Sequence, residues 1–136
     1  MRKVNVLSPR AAGNPLQAGQ AVGAEQIGAS VYVLADGERA APFHFHHDAE
    51  EWLIALDGAP RVRTPDGERT LRKGDVLCFR AGAAGGHEVS GPGTVMLVAE
   101  NRALDAIERP EEGTIELRPA GLVFRTADAL GSEKAR

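Results

Sequence analysis

Between Ile27 and Arg125 the chain is cut at short intervals by turn-forming groups: Asp36-Gly37, Asp57-Gly58, Pro65-Asp66-Gly67, Lys73-Gly74, Gly91-Pro92-Gly93 and Glu112-Gly113. Each supplies a glycine free to take positive φ or a proline with φ already set, which tight reversals of an extended chain require. The runs between them are rich in β-branched and aromatic residues, as in Ile27 to Ala35. They predict strands over 27–35, 40–46, 51–56, 60–64, 68–72, 75–80, 86–90, 94–99, 114–118 and 121–125. Strands this short and this evenly spaced belong to an all-β sandwich or barrel. Residues 103–109 and the tail after Thr126 are the two stretches with helical potential, and residues 1–26 read as an edge strand at Val4 to Leu7 followed by an irregular arm.

Two of the strands carry a burial signal. Glu51 to Leu56 is apolar at both parities, with Leu53 and Ala55 on one face and Trp52, Ile54 and Leu56 on the other; Val95 to Ala99 behaves the same way. A strand buried on one face alternates, so these are expected to be covered on both, by a second sheet or by a second subunit. A homodimer is the expectation. The length of 136 residues suits one domain with a real core, and 43% hydrophobic with 26% charged residues excludes disorder. A net charge of -3 offers no general attraction to nucleic acid or to an anionic membrane. The single cysteine, Cys78, excludes an internal disulfide. The apolar run behind Met1-Arg2-Lys3 ends by Ser8-Pro9, too short for a signal-peptide core, so the expected compartment is the cytosol.

Chemistry is concentrated in Pro42-Phe43-His44-Phe45-His46-His47-Asp48-Ala49-Glu50-Glu51. His44 and His46 are two apart, so on an extended strand both rings point to one face. Glu51 opens the next apolar run and can return a carboxylate oxygen to the same place. The fourth histidine of the chain, His87, follows the glycine-dense loop Gly82 to Gly86, and antiparallel pairing of distant strands can bring it to the other two. His44, His46, Glu51 and His87 then offer three nitrogens and one oxygen. That mixed set suits one divalent transition ion per chain (Mn, Fe, Ni, Zn or Co) and does not suit the all-oxygen ions Ca or Mg. On a six-coordinate ion two positions stay open, as a reactive site requires.

These residues carry a resemblance. Gly37…His44-x-His46-x4-Glu51-x6-Gly58 resembles the first motif of the cupin superfamily, and Gly74-Asp75-x4-Arg80-x-Gly82-x4-His87 resembles the second, in the small single-domain bacterial form of the conserved-barrel type. The resemblance covers about residues 27–100. It implies a cupin-type jelly-roll β-barrel, usually dimeric, with a divalent metal held by His44, His46, Glu51 and His87. The whole chain, 1–136, is then one cupin domain with its barrel core over about 27–100, the arm 1–26 and the strands 113–125 packing on it. Arg80 stands where the family usually has proline, and the loop before His87 is two residues longer than the common form.

The neighbouring polar residues have competing readings. His47 has the opposite parity to His44 and His46 and reads as solvent-facing or as a supporting donor. Glu50 competes with Glu51, which spacing to Gly58 and parity with Leu53 favour. Trp52 and Cys78 read as packing residues. Arg61 and Arg63 share one strand face and read either as receivers of an anionic substrate or as a solvated surface. Glu50, Glu88 and Tyr32 are candidates for proton transfer. The expected function is that of a metal-dependent enzyme acting on a small oxygen-rich metabolite, of dioxygenase, isomerase, decarboxylase or lyase type. The alternative is a metal-containing module that binds a small ligand without turnover, and a DNA-binding version is disfavoured because about 26 residues precede the barrel.

Overall fold

The computed structural model describes residues 1–8, 15–101 and 104–129. A short helix, α1 (Ala18–Val22), precedes eleven strands: β1 (Ile27–Leu34), β2 (Phe45–His46), β3 (Glu51–Gly58), β4 (Arg61–Thr64), β5 (Gly67–Thr70), β6 (Val76–Phe79), β7 (Glu88–Ser90), β8 (Gly93–Glu100), β9 (Asp105–Arg109), β10 (Thr114–Arg118) and β11 (Leu122–Arg125). They form two four-stranded sheets, β1-β8-β3-β6 and β11-β10-β9-β2, and a three-stranded sheet β5-β4-β7. The pairings among these strands are antiparallel. This is the all-β barrel expected of the strand spacing, in the jelly-roll form that the cupin resemblance implies. Among the described residues no helix is long and apolar enough to cross a membrane.

Register decides what faces the interior. Glu51 lies opposite Ala99 and Phe79, Leu53 opposite Leu97 and Leu77, and Ala55 opposite Val95, so these residues form one inward face. Leu53, Ala55, Phe79 and Val95 meet Leu34, Val62, Leu71 and Val89 in the main core. Burying one such Leu or Val side chain stabilises the fold by about 1.5–3 kcal/mol. The core closes the barrel below Leu53 and leaves Glu51, one pleat higher, at the polar end. Ile107 of β9 is buried and pairs with His46 of β2 in the second sheet.

Several sequence expectations are corrected. Residues 105–109, read as potentially helical, are strand β9, because its backbone is paired on both sides by β2 and β10; Ala103 lies outside the described residues. After Thr126 only a 3-10 turn, Thr126–Asp128, is formed, and 130–136 lie outside the description. The expected edge strand at Val4 to Leu7 is absent; Val4 and Val6 pack instead with Leu16, Ala18 and Val31. Of the strand expected over 40–46, Phe45 and His46 are extended in the sheet, the remainder being bends and isolated bridges.

Part of the outward face of β3 and β8 is covered by a segment that neither expectation named. Where it carries Leu56 and Met96 it is covered by the chain's own N-terminal residues, with Leu16 and Ala18 at the centre of the cluster. Farther along, Trp52 is 49% exposed and Val76 54% exposed, and Cys78 opposite Trp52 is also exposed. Trp52 and Cys78 are therefore surface residues within one chain, and not core packing.

Candidate metal centre

His44 and His87 exchange two backbone hydrogen bonds, His44 N–H to His87 C=O at 3.1 Å and His87 N–H to His44 C=O at 3.0 Å. The Gly82 N–H donates to the His46 carbonyl at 2.7 Å, so the loop before His87 is tied to both earlier histidines. That loop closes as a 3-10 turn, Ala83–Gly85. It is packed so tightly that a Cβ on Gly85 would lie 1.8 Å from the Arg80 carbonyl oxygen. The longer loop thus delivers His87 to the site. Its ring stacks on Phe79 at 3.7 Å with an interplanar angle of 9°, and lies 4.6 Å from the His44 ring.

The coordinating atoms of His44, His46 and Glu51 all lie within 4.8 Å of one another. His87 joins through the carboxylate, its Nε2 being 2.7 Å from Glu51 Oε1. On the other side, His46 Nε2 is 3.7 Å from Glu51 Oε2. All four residues are brought together, and His87 is only 1% exposed.

Each imidazole is oriented by an oxygen on its far side. His44 Nδ1 meets the Pro42 carbonyl at 2.8 Å, His87 Nδ1 the Gly85 carbonyl at 2.9 Å, and His46 Nδ1 the Asp105 carboxylate at 2.6 Å. Those oxygens only accept, so each Nδ1 carries the proton and donates. Every Nε2 of a neutral ring is then a lone pair directed inward. Burial, with the His87 imidazole beside it, pushes the His44 pKa down to about 4, so this ring is neutral near pH 7. For Glu51, burial acts to raise the carboxyl pKa, but the hydrogen bond from His87 and the surrounding imidazoles outweigh it and hold the group below its ordinary value.

The result is a cluster of inward Nε2 atoms around one carboxylate. The 2.7 Å between His87 Nε2 and Glu51 Oε1 is bridged by a proton, which a cation held by both atoms would replace. The donor set fits a divalent transition ion on this ground.

The other sequence candidates fall outward. His47 bonds Glu108 at 2.9 Å on the exposed face. Glu50 is exposed beside the Trp52 indole, and Glu88 pairs with Arg39 and Arg63. Arg61 pairs with Asp36, while Arg63 forks onto Glu111 and lies over Phe43, so the solvated-surface reading holds for that strand face. Tyr32 alone of the three proton-transfer candidates borders the cavity above the cluster. That cavity measures about 470 Å³ and is bordered by His44, His46, Glu51 and, on the far sheet, Arg109 and Arg118. Burial and then Glu51 raise the Tyr32 pKa against an opposing effect of Arg118, so the phenol keeps its proton near neutrality. Asp105, Arg109 and Arg118 were not singled out from sequence. No motif spacing marks them, since their place depends on β9 pairing with β2 about sixty residues earlier.

An antiparallel barrel of two four-stranded sheets and one three-stranded sheet, with an inward His/His/Glu cluster at one end, defines the class. The Cupin domain family matches residues 30–99, and the chain belongs to that family. Among solved structures, it is similar to a sugar phosphate isomerase of the cupin superfamily from Silicibacter pomeroyi, with TM-score 0.79 and 20% identity over 98% of this chain and 94% of that one. A candidate sugar phosphate isomerase from Acidithiobacillus ferrooxidans gives TM-score 0.77 and 22% identity over 85% and 77%. A cupin protein from Bacteroides fragilis gives TM-score 0.52 and 17% identity over 65% and 76%. At these identities the likeness is one of fold. No curated protein sequence matches the chain.

Proposed function

We propose that His44, His46, Glu51 and His87 hold one divalent transition-metal ion, and that the protein is a metal-dependent enzyme for a small oxygen-rich metabolite. The observation that supports this most is the orientation of all three imidazoles: each Nδ1 is held by an oxygen on its far side, which turns the Nε2 atoms of His44, His46 and His87 toward one carboxylate. When bound, such an ion supplies Lewis acidity toward a carbonyl or hydroxyl oxygen. The chain's own residues supply the rest. Leu97 and Ile107 border the cavity with apolar surface, and Tyr32 offers a protonated phenol for donation to a developing oxyanion. The reaction class is dioxygenase, isomerase, decarboxylase or lyase, and the names of two fold neighbours make sugar phosphate isomerisation the first to try.

The test is a panel on protein reconstituted in turn with Mn, Fe, Co, Ni and Zn. It scores isomerisation of sugar phosphates by NMR, dioxygen uptake with hydroxy-keto compounds, and loss of carbon dioxide from keto acids. Turnover that disappears on chelation and in Tyr32→Phe supports an enzyme. Ligand binding to the metal-loaded protein without turnover of any compound supports the binding module. The half-exposed Trp52 and Val76 support self-association of two chains, which light scattering of the wild type against Trp52→Glu checks.

A further inference from the structure

The inward face of the second sheet carries more than the ligand His46. Register places His46 opposite Ile107 and Ile107 opposite Glu116; the next row sets Asp105 opposite Arg118, and the row on the other side sets Arg109 opposite Thr114. His46, Asp105, Arg109, Glu116 and Arg118 therefore share one face. Glu116 bridges the two guanidiniums, accepting from Arg109 Nη2 at 2.8 Å and from Arg118 Nε at 3.1 Å. One carboxylate between two guanidiniums leaves each arginine with donors that Glu116 does not use. Both arginines border the cavity that holds the metal cluster, Arg118 facing Tyr32 from the opposite sheet. Glu100, which also borders the cavity, has the outward parity of β8, since Ala99 faces inward beside Glu51.

We infer that Arg109 and Arg118 form an oxyanion subsite, held open by Glu116, that receives the phosphate or carboxylate terminus of the substrate whose other end meets the metal cluster. Only the placing of the substrate's other end at the metal cluster rests on the proposed metal centre. Two strand spacings separate His46 from Glu116 in the sheet, about 10 Å. That span fits a short-chain metabolite bearing its oxyanion at the end remote from the chelating oxygens. The fork geometry of guanidinium is matched to two oxygens of a single oxyanion, and Glu116 sets the spacing of the two forks. Arg61 and Arg63, the arginines that sequence parity pointed to, are engaged by Asp36, Glu88 and Glu111 away from this cavity.

The experiment uses chelator-treated full-length protein, so that anion binding is read without the metal. Inorganic phosphate and acetate are titrated separately by calorimetry into wild type, Arg118→Gln, Arg109→Gln and Glu116→Gln. Arg118 is 53% exposed in its side chain, so its replacement leaves the core untouched; unchanged near-ultraviolet circular dichroism verifies folding of each variant. The expected result is a loss of about tenfold or more in anion affinity in either arginine variant, and a gain of several-fold in Glu116→Gln, where both guanidiniums lose their internal partner. The opposite signs separate a built subsite from general loss of fold. Tighter binding of phosphate identifies a phosphomonoester end, and equal or tighter binding of acetate identifies a carboxylate end. Anion affinity that is unaltered in both arginine variants, or that falls in Glu116→Gln, overturns the inference. Metal content measured on the same preparations before chelation tests the metal centre separately, so either half can fail alone.

Discussion

Replacing Asp105 by asparagine changes one atom and reverses one hydrogen bond. The carboxylate accepts from His46 Nδ1–H at 2.6 Å through one oxygen and from the Asp48 backbone N–H at 3.0 Å through the other. Asparagine has one oxygen to give. With that oxygen on Asp48 N–H, its amide N–H faces His46 Nδ1 and favours the tautomer protonated on Nε2, which removes the inward lone pair. With the amide turned round, the backbone donor of Asp48 loses its acceptor instead. Removing such an outer partner lowers metal affinity about 10–100-fold. At 1.36 kcal/mol per tenfold this is about 1.4–2.7 kcal/mol. The near-equal shape keeps β9 in place, so the fold persists. The assay is competition for Zn and Mn against a chromophoric chelator at pH 7.5, with a circular dichroism melt as control. Wild-type affinity in Asp105→Asn, with the fold retained, refutes the view that Asp105 sets the tautomer of His46.

Gly85→Ala is expected to destabilise the protein by about 1–3 kcal/mol, since its Cβ would meet the Arg80 carbonyl at 1.8 Å and the 3-10 turn must shift. The same shift displaces the acceptor of His87 Nδ1, so metal affinity falls together with the urea midpoint; a variant with both unchanged contradicts the account of the loop. Acidification of chelator-treated protein gives a third expectation. His44 is depressed from 6.5 to about 4, so between those pH values the unfolded chain holds a proton that the folded chain does not. Stability therefore falls as pH is lowered through that window, by about 3 kcal/mol in total. Glu51, held below its ordinary value, adds a further loss once pH falls below 4.5. Urea titrations at pH 7.5, 6.5, 5.5 and 4.5 check the sign, and stability that stays level or rises toward pH 4.5 contradicts the assignment of a neutral, buried His44.

The strands were legible because their evidence is local. Asp57-Gly58 and Pro65-Asp66-Gly67 mark reversals whatever the remainder of the chain does, and β3 to β5 follow from them within a residue or two. The grouping of His44, His46 and Glu51 was legible for a similar reason, since strand parity and the return of β3 are short-range properties. Residues 105–109 misled because Asp-Ala-Ile-Glu-Arg mixes helix formers with one β-branched residue, and pairing with β2 and β10 outweighs that weak preference. With that strand missed, Asp105, Arg109 and Arg118 could not be placed near His46. The covering of the outward face was half legible. Apolar residues at both parities of β3 required a cover, but Leu16 and Ala18, which cover part of it, lie in the arm where no periodicity announced packing.

A metal ion held by the inward Nε2 atoms of His44, His46 and His87 and by the Glu51 carboxylate is what the whole reading depends on. Its most direct measurement is metal content by mass spectrometry on untagged protein purified without chelator, for the wild type and for His44→Ala, His46→Ala, Glu51→Gln and His87→Ala. The account predicts about one divalent transition ion per wild-type chain and a large loss in every variant that remains folded. A wild type that takes up no transition ion even after incubation with each metal, or a His44→Ala protein with its full complement, contradicts it.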